Sequence, residues 1–532
     1  MKKAITQPRA DSHARHFVGV GWGFLMKTLL MGVVNALGLM IALSAWNVEA
    51  WAILGATIAV LIVANVVYFS PRALPLKYLL PGLLFLLVFQ VFTMGYTGYV
   101  AFTNYGTGHA GNMQQAVDAA LIQGERPVPG SPSRPIAIVR DEEGTIGISL
   151  EQDGVVTVGT ADMPMTPVDG ASVGDNGAPS EVPGWQILPR AELYKDATLQ
   201  KAVTELRVPV SDDASAGSYR TREGSNATIY RSAFSWDSAS ETLTDQESGV
   251  VYHPDHKVGR FVSADGQSTP TGWYVNVGFN NFVRAVTDSN LAQPLLQVTV
   301  WTFAFALLSV VLSFFVGLFF ALAFNDAKLK GRKIIRTLLI LPYAFPAFMS
   351  GLLWRGMLNS EFGVINDLFF FGSNINWLGD PWLAKASVLF VNVWLSYPYW
   401  LLVCTGALQS LSESTLEAAT LDGASKTQRF SYVTLPLLLV STAPLAISSF
   451  AFSFNNFTII YMLSEGGPMF PGDSNRLGAT DILISTIYKI SGVQGGVADY
   501  GLASALSIVV FIIVGLISAL AFRQTRKLEE FQ

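Results

Sequence analysis

The 532-residue chain is 51% hydrophobic and only 14% charged, with a mean hydropathy of +0.39. Soluble globular domains carry about 25% charged residues, so this composition excludes an ordinary soluble protein and points to a membrane. The net charge of −5 joins two regions of opposite sign: residues 104–292 hold 13 Lys and Arg against 24 Asp and Glu, and the remainder holds 21 against 15. A hydrocarbon core about 30 Å thick needs about 20 apolar residues per helix. Runs at 26–46, 51–69 and 79–102 read as the first three spans. The basic N-terminus, MKKAITQPRADSHARHF, leads into a long apolar run with no small-residue cleavage site, which reads as a retained anchor.

The acidic block 104–292 follows, punctuated by Gly, Pro and Asp. Alternating runs at 144–150, 155–158, 230–236 and 250–253 predict strands. A helix is expected over 191–206, with loops at 128–135 and 163–184. The block therefore reads as a folded α+β or mainly β domain. Asn226-Ala227-Thr228 matches a glycosylation sequon and reads as chance. Residues 280–290 predict an amphipathic helix lying at the membrane interface.

Five further runs complete eight spans: 300–324, 337–358, 386–408, 437–463 and 502–522. Pro342 and Pro346 predict a kink in the fifth. Lys and Arg flank the N-terminus, the second-to-third, fourth-to-fifth and sixth-to-seventh connections and the C-terminus. All five fall on one side of an eight-span protein, which the positive-inside rule makes cytoplasmic. Both termini are then inside and 104–292 outside. The only cysteine, Cys404, excludes an intrachain disulfide framework and reads as a buried thiol.

The cytoplasmic stretch 410–436, SLSESTLEAATLDGASKTQRFSYVTLP, breaks two apolar runs. Ser414 and Glu417 fit a capping box for a short helix ending near Leu421. Gly423 suits a left-handed stop. A second short helix from Ser425 to Thr434 leaves Pro436 to open the next span. The pattern fits a helical knob that docks in a partner's groove, and equally a plain connector.

Chemistry is read first from what is missing. The sequence has no G-x-x-x-x-G-K-[ST] phosphate loop, no H-E-x-x-H and no C-x-x-C, and its five His lie outside the spans. These absences argue against ATP hydrolysis by the chain itself and against a metal or hydrolytic site, so no catalytic residues or cofactor are expected. Polar side chains inside spans are costly and therefore informative. Ser449, Phe452, Ser453 and Asn456 share one helical face in the seventh span. Asn392, Ser396 and Tyr399, beside Leu395, share one in the sixth. Hydroxyls, amides and rings without charge suit a neutral sugar. Helix–helix hydrogen bonding accounts for the same residues one by one, and it is the preferred reading for Asn455.

The strings Glu417-Ala418-Ala419, Asp422-Gly423-Ala424 and Leu435-Pro436 resemble the signature of ABC importer permeases. AFTNY (101–105), SGVVYHP (248–254), LLILPYAFPAF (338–348), NVWLSYPY (392–399), SFAFSFNNF (449–457) and GGP (466–468) narrow the resemblance to the MalF-type maltose/maltodextrin permease family. The resemblance implies an all-α membrane protein of the bacterial inner membrane. It would have eight transmembrane helices, a type I ABC importer permease core and a periplasmic domain inserted after the third helix. Residues 1–103 would hold spans one to three, 104–292 the periplasmic domain, and 293–532 spans four to eight with the coupling loop 410–436.

The resemblance also implies partners: a second, MalG-like permease, a dimer of MalK-like ATPase subunits that bind the ATP, and a periplasmic sugar-binding protein. Leu395, Ser396, Tyr399, Ser449, Phe452, Ser453 and Asn456 would surround the sugar. Glu417, Ala418, Ala419, Asp422 and Gly423 would belong to the helix that docks on the ATPase. Ser396 stands where the family pattern has Gly, and Ser453 where it has Asn, which leaves open another α-glucoside such as trehalose. A membrane-anchored receptor with a ligand-binding outer domain is the alternative from a different class.

Overall fold

The computed structural model describes residues 22–70, 73–213, 216–324, 330–472, 476–493 and 495–529. Seven helices among them are long and apolar enough to cross a membrane: Trp22–Asn47, Trp51–Phe69, Leu74–Val100, Ser289–Ala323, Pro381–Ser410, Lys426–Phe454 and Tyr500–Arg523. An eighth span is broken. Helix Arg332–Ile340 and a 3₁₀ turn, Leu341–Ala344, meet helix Ala347–Met357 at a bend of 95°. The predicted kink is thus a full break. Pro342 and Pro346 deny the ladder two amide donors within five residues, and Pro346 pushes Phe345 into an extended conformation.

The chain divides into two compact units, one up to Tyr96 and one from Thr97. In the first, helices Trp22–Asn47 and Trp51–Phe69 pair closely. Asn35 and Asn65 exchange amide hydrogen bonds at 3.1 and 2.7 Å. Each would otherwise bury an unpaired amide in hydrocarbon.

The second unit holds the remaining spans and the inserted domain. Between residues 125 and 232 a nine-stranded sheet forms, with Arg134–Arg140, Ile146–Gln152 and Val155–Thr160 as its antiparallel centre. Its core includes Ile138, Ile148, Leu150 and Val208, none more than 2% exposed. A five-stranded antiparallel meander runs from Phe234–Asp237 to Ser268–Gly272 and packs on helix Met113–Gln123. The expected strand at 230–236 is in fact two strands. Asn226–Ser232 belongs to the large sheet and Phe234–Asp237 to the meander. Ala233 between them turns its amide to the Gly124 carbonyl instead. The expected helix at 191–206 is likewise two, Arg190–Lys195 and Ala197–Glu205, because Asp196 caps the second through the Thr198 and Leu199 amides.

AFTNY is the seam between the membrane helices and this domain. Asn281 donates to the Ala101 and Thr103 carbonyls at 2.9 and 2.7 Å. Asn104 donates to Val258 and Trp273 carbonyls and accepts from the Val275 amide. Gly501 donates to the Tyr105 carbonyl. One five-residue string therefore ties the domain's last strands, helix Asn280–Thr287 and the eighth span together.

The amphipathic segment forms a separate helix, Asn280–Thr287; Asp288 then caps the 35-residue fourth span, Ser289–Ala323. The fourth and sixth spans cross closely at Gly317. A Cβ added to Gly317 would lie 2.6 Å from Trp400 Cβ and 2.7 Å from the Leu401 nitrogen. Gly317→Ala overpacks this crossing. It is expected to destabilise the protein by about 1–3 kcal/mol, read as a lowered melting temperature in detergent.

Candidate functional site

The sixth span, Pro381–Ser410, puts Leu395, Ser396 and Tyr399 on one face, beside Asn392. The seventh does not continue to 463 as the hydropathy predicts. Its helix ends at Phe454, Asn455 leaves the ladder, and Asn456 starts a new helix, Phe457–Ser464. Asn455 donates to the Ala451 carbonyl at 3.2 Å, a bond within its own helix rather than between helices.

Non-helical backbone at membrane depth is tolerated only where protein buries it or a cavity takes it. Both broken spans meet that condition at one place. Pro342, Tyr343, Phe345 and Ala347 from the fifth span and Ser449, Phe452, Ser453 and Asn456 from the seventh line a single cavity of about 470 Å³. Asn392, Leu395, Ser396 and Tyr399 of the sixth span and Ser309 and Ser313 of the fourth also line it. All seven residues expected around a sugar are on this lining, and no lining residue carries a charge.

A chain of hydrogen bonds fixes the polar side. Asn456 donates to Asn392 Oδ1 at 2.9 Å, and Asn392 donates to Ser309 Oγ at 2.8 Å. Asn392 is 2% exposed and Ser309 1%, so both amide and hydroxyl are committed to joining the fourth, sixth and seventh spans. Asn392 is therefore the interhelical bond of the set. Tyr397, one turn away on the opposite face, donates to the Leu339 carbonyl at 2.9 Å and braces the broken fifth span. Phe452 differs from the rest in being 72% exposed. Its ring stands at an open edge of the cavity.

Sequence reading missed Ser309, Ser313, Tyr343 and Phe345. The first two were legible as an i, i+4 pair of hydroxyls in a run, 300–324, whose one other hydroxyl is Thr302. Tyr343 and Phe345 lay beside the two prolines that broke the helix.

At the other end of the sixth span the chain leaves in an extended conformation at Leu411, and Ser412 takes the N-cap position of helix Glu413–Leu421 without a side-chain bond to its amides. Ser414 is inside that helix and bonds Ser412 Oγ at 2.6 Å, so the expected Ser414–Glu417 capping box does not form. The capping box lies in the next helix, between Ser425 and Gln428. That helix is not separate either. Lys426–Arg429 runs through a π turn, Phe430–Thr434, straight into the seventh span. Gly423 adopts φ 83°, the left-handed stop expected of it. Arg429 donates to Thr420 at 2.5 Å and clips the two short helices together.

Freed from capping, Glu417 is exposed and has no hydrogen-bond or ion-pair partner among the described residues. Ala418 and Asp422 are exposed, Ala419 is half-buried, and Leu421 is 88% exposed. The knob thus presents two carboxylates, Glu417 and Asp422, and an apolar tip to its surroundings.

Residues 84–162 match the family model for the N-terminal part of the transmembrane subunit in binding-protein-dependent ABC transporters. Residues 270–529 match the model for the inner membrane component of binding-protein-dependent transport systems. The maltose/maltodextrin transport system permease protein MalF of Vibrio vulnificus (strain YJ016) is 32% identical over 532 residues, covering 98% of each chain. This chain belongs to the MalF family. The MalF of Escherichia coli (strain K12) is 39% identical over 293 residues, covering 54% of this chain and 57% of that one. Among solved structures, a bacterial ABC transporter involved in the import of alginate aligns with 24% identity and a TM-score of 0.40, over 47% of this chain and 84% of that one. The chain is a multi-pass membrane permease of the MalF family, with a β-rich domain inserted after the third span.

Proposed function

We propose that the chain forms the sugar-holding half of an ATP-driven importer for maltose and maltodextrins, at the cavity between the two broken spans. The observation that carries this reading is the lining: two discontinuous helices, hydroxyls, amides and rings, and no charge. Discontinuous helices line the substrate sites of many secondary transporters, and irregular backbone at membrane depth is tolerated where it lines a cavity. The volume falls within the roughly 300–1,000 Å³ usual for small-molecule sites. Ser396, Ser449, Ser453 and Asn456 exchange hydrogen bonds with sugar hydroxyls, and Tyr399 and Phe452 stack on its apolar faces.

ATP is bound and hydrolysed by partner ATPase subunits of the MalK type, not by this chain, which does no covalent chemistry. The knob 410–436 docks on one of them from the cytoplasm, with Glu417 facing a basic group there. A MalG-like permease supplies the other half of the path. Residues 104–292 lie in the periplasm, where a sugar-binding protein delivers the ligand. The knob's second helix continues through the π turn into the seventh span, so a displacement of the knob is passed along that helix to Ser449, Phe452 and Ser453. Alternating access follows as movement of one packed set of helices against another.

Asn456→Ala removes a donor to the sugar and the link to Asn392. Uptake of labelled maltose by proteoliposomes bearing the full complex is expected to fall by about tenfold or more, with subunit stoichiometry unchanged on size-exclusion chromatography. Unaltered uptake by that variant contradicts the site.

A further inference from the structure

A second cavity, of about 580 Å³, lies where the inserted domain meets the start of the eighth span. Three cations, Lys257, Arg260 and Arg284, line it with one carboxylate, Asp499. That carboxylate is committed. It pairs with Arg284 and accepts the Leu502 amide at 2.9 Å, capping the last span. Arg260 is held in place by donating from Nε to His109 Nε2 at 2.8 Å. Burial and the adjacent Arg260 charge keep the His109 imidazole below its ordinary range, so it remains a neutral acceptor at neutral pH. Among the described residues, neither Arg260 nor Lys257 has a carboxylate partner. Two positive charges without a carboxylate partner therefore line one half-open cavity in an otherwise acidic domain.

The cavity also adjoins the starts of the fourth and eighth spans, at Ser289 and Tyr500. Helix Asn280–Thr287, which contributes Arg284, is joined through Asp288 alone to the fourth span. Its outer side is apolar: Phe279, Val283 and Val286 are 70%, 51% and 73% exposed. Beside it Tyr105 contacts the rings of Tyr274 and Tyr500, with centroids 5.9 and 5.2 Å away. Such aromatic clusters mark the headgroup layer.

We propose that this cavity binds the phosphodiester headgroup of an anionic phospholipid, taken from the leaflet on the side of the inserted domain. Lys257 and Arg260 hold the phosphate, and the acyl chains lie along Phe279, Val283 and Val286. The bound lipid fills the joint between the domain and the eighth span, and so sets how firmly the domain is seated on the membrane helices. Neutral lipids carry the same phosphate with a compensating cation, and are selected against by the two free charges.

Native mass spectrometry of the detergent-purified full chain, with the subunits that copurify, tests this. After incubation with mixed phosphatidylglycerol and phosphatidylethanolamine, phosphatidylglycerol is expected to be retained in preference. Lys257→Gln with Arg260→Gln is expected to lower its retention on the order of tenfold. Lys257→Gln alone alters only an exposed side chain, and is expected to lower retention severalfold with folding intact; Arg260→Lys is expected to retain most of it. Equal retention of the two lipids, or unchanged retention in Lys257→Gln and in the double variant, overturns the proposal. Retention of orthophosphate but no lipid makes this a soluble-anion site and overturns the lipid assignment. Carbodiimide crosslinking of Lys257 to an acidic segment of a copurifying protein, with no lipid retained, makes it a protein contact and overturns it as well.

Discussion

Replacing Asp481 by Ala is expected to cost the folded protein about 3–5 kcal/mol, the usual penalty for stranding one partner of a buried ion pair. Asp481 and Lys489 meet at 2.6 Å with their side chains 0% and 2% exposed. Lys489 also donates to the Arg476 carbonyl at 2.9 Å. Asp481 accepts from the Gly478 amide and from Ser485 Oγ, both at 2.7 Å. The loop between the seventh and eighth spans is wound around this pair. Gly466 of the GGP string packs so closely that an added Cβ would lie 2.0 Å from Asp481 Oδ1, at a backbone φ of 80° that already favours glycine. Without the carboxylate, the ammonium stays buried against one carbonyl. The double change Asp481→Leu with Lys489→Met removes both charges and is expected to recover most of the loss. Thermal melts of the two variants decide it; a single Asp481→Ala variant that melts like the unmodified protein refutes the assignment.

Glu417→Lys is expected to abolish coupled uptake without touching stability. The side chain is exposed and without a partner in the described structure, so reversing its charge leaves the fold intact. At a docking surface the same reversal places like charges together, at a cost of several kcal/mol. Proteoliposomes carrying the variant should lose at least an order of magnitude of sugar uptake, while ATP hydrolysis becomes independent of sugar. The melting temperature should not move. Normal uptake contradicts the coupling role of the knob, and a lowered melting temperature contradicts the free carboxylate.

What the sequence made legible was set by the strength of each local signal. The spans were readable because 20 apolar residues have few other destinations, and the second, 51–69, has the bounds its hydropathy predicts. The polar faces were readable because Ser and Asn in hydrocarbon must find partners. The helix break at Asn455 was not, because Asn456 falls at i+7 from Ser449 and mimics an unbroken helix. It still reaches the cavity, but as the cap of a new helix bonded to Asn392. The capping box was misplaced for a related reason. Ser412 and Ser414 both satisfy the local pattern, and the exit direction of the sixth span at Leu411 decides between them. In the inserted domain, strand existence was readable but strand partnership was not. The split at Ala233 depends on Gly124, more than a hundred residues earlier.

Cys404 is buried in the fourth-and-sixth-span core and is the only cysteine, which leaves a nearly silent background for thiol chemistry. Ser396→Cys and Ser449→Cys each place a thiol on the proposed sugar cavity, and Val497→Cys places one on the other cavity. The rate of labelling by a small maleimide, with and without maltose, in the assembled transporter tests the central claim most directly. Maltose is expected to slow labelling at 396 and 449 severalfold and to leave 497 unchanged. Equal labelling at 396 and 449 with and without sugar would contradict a sugar site between the broken spans.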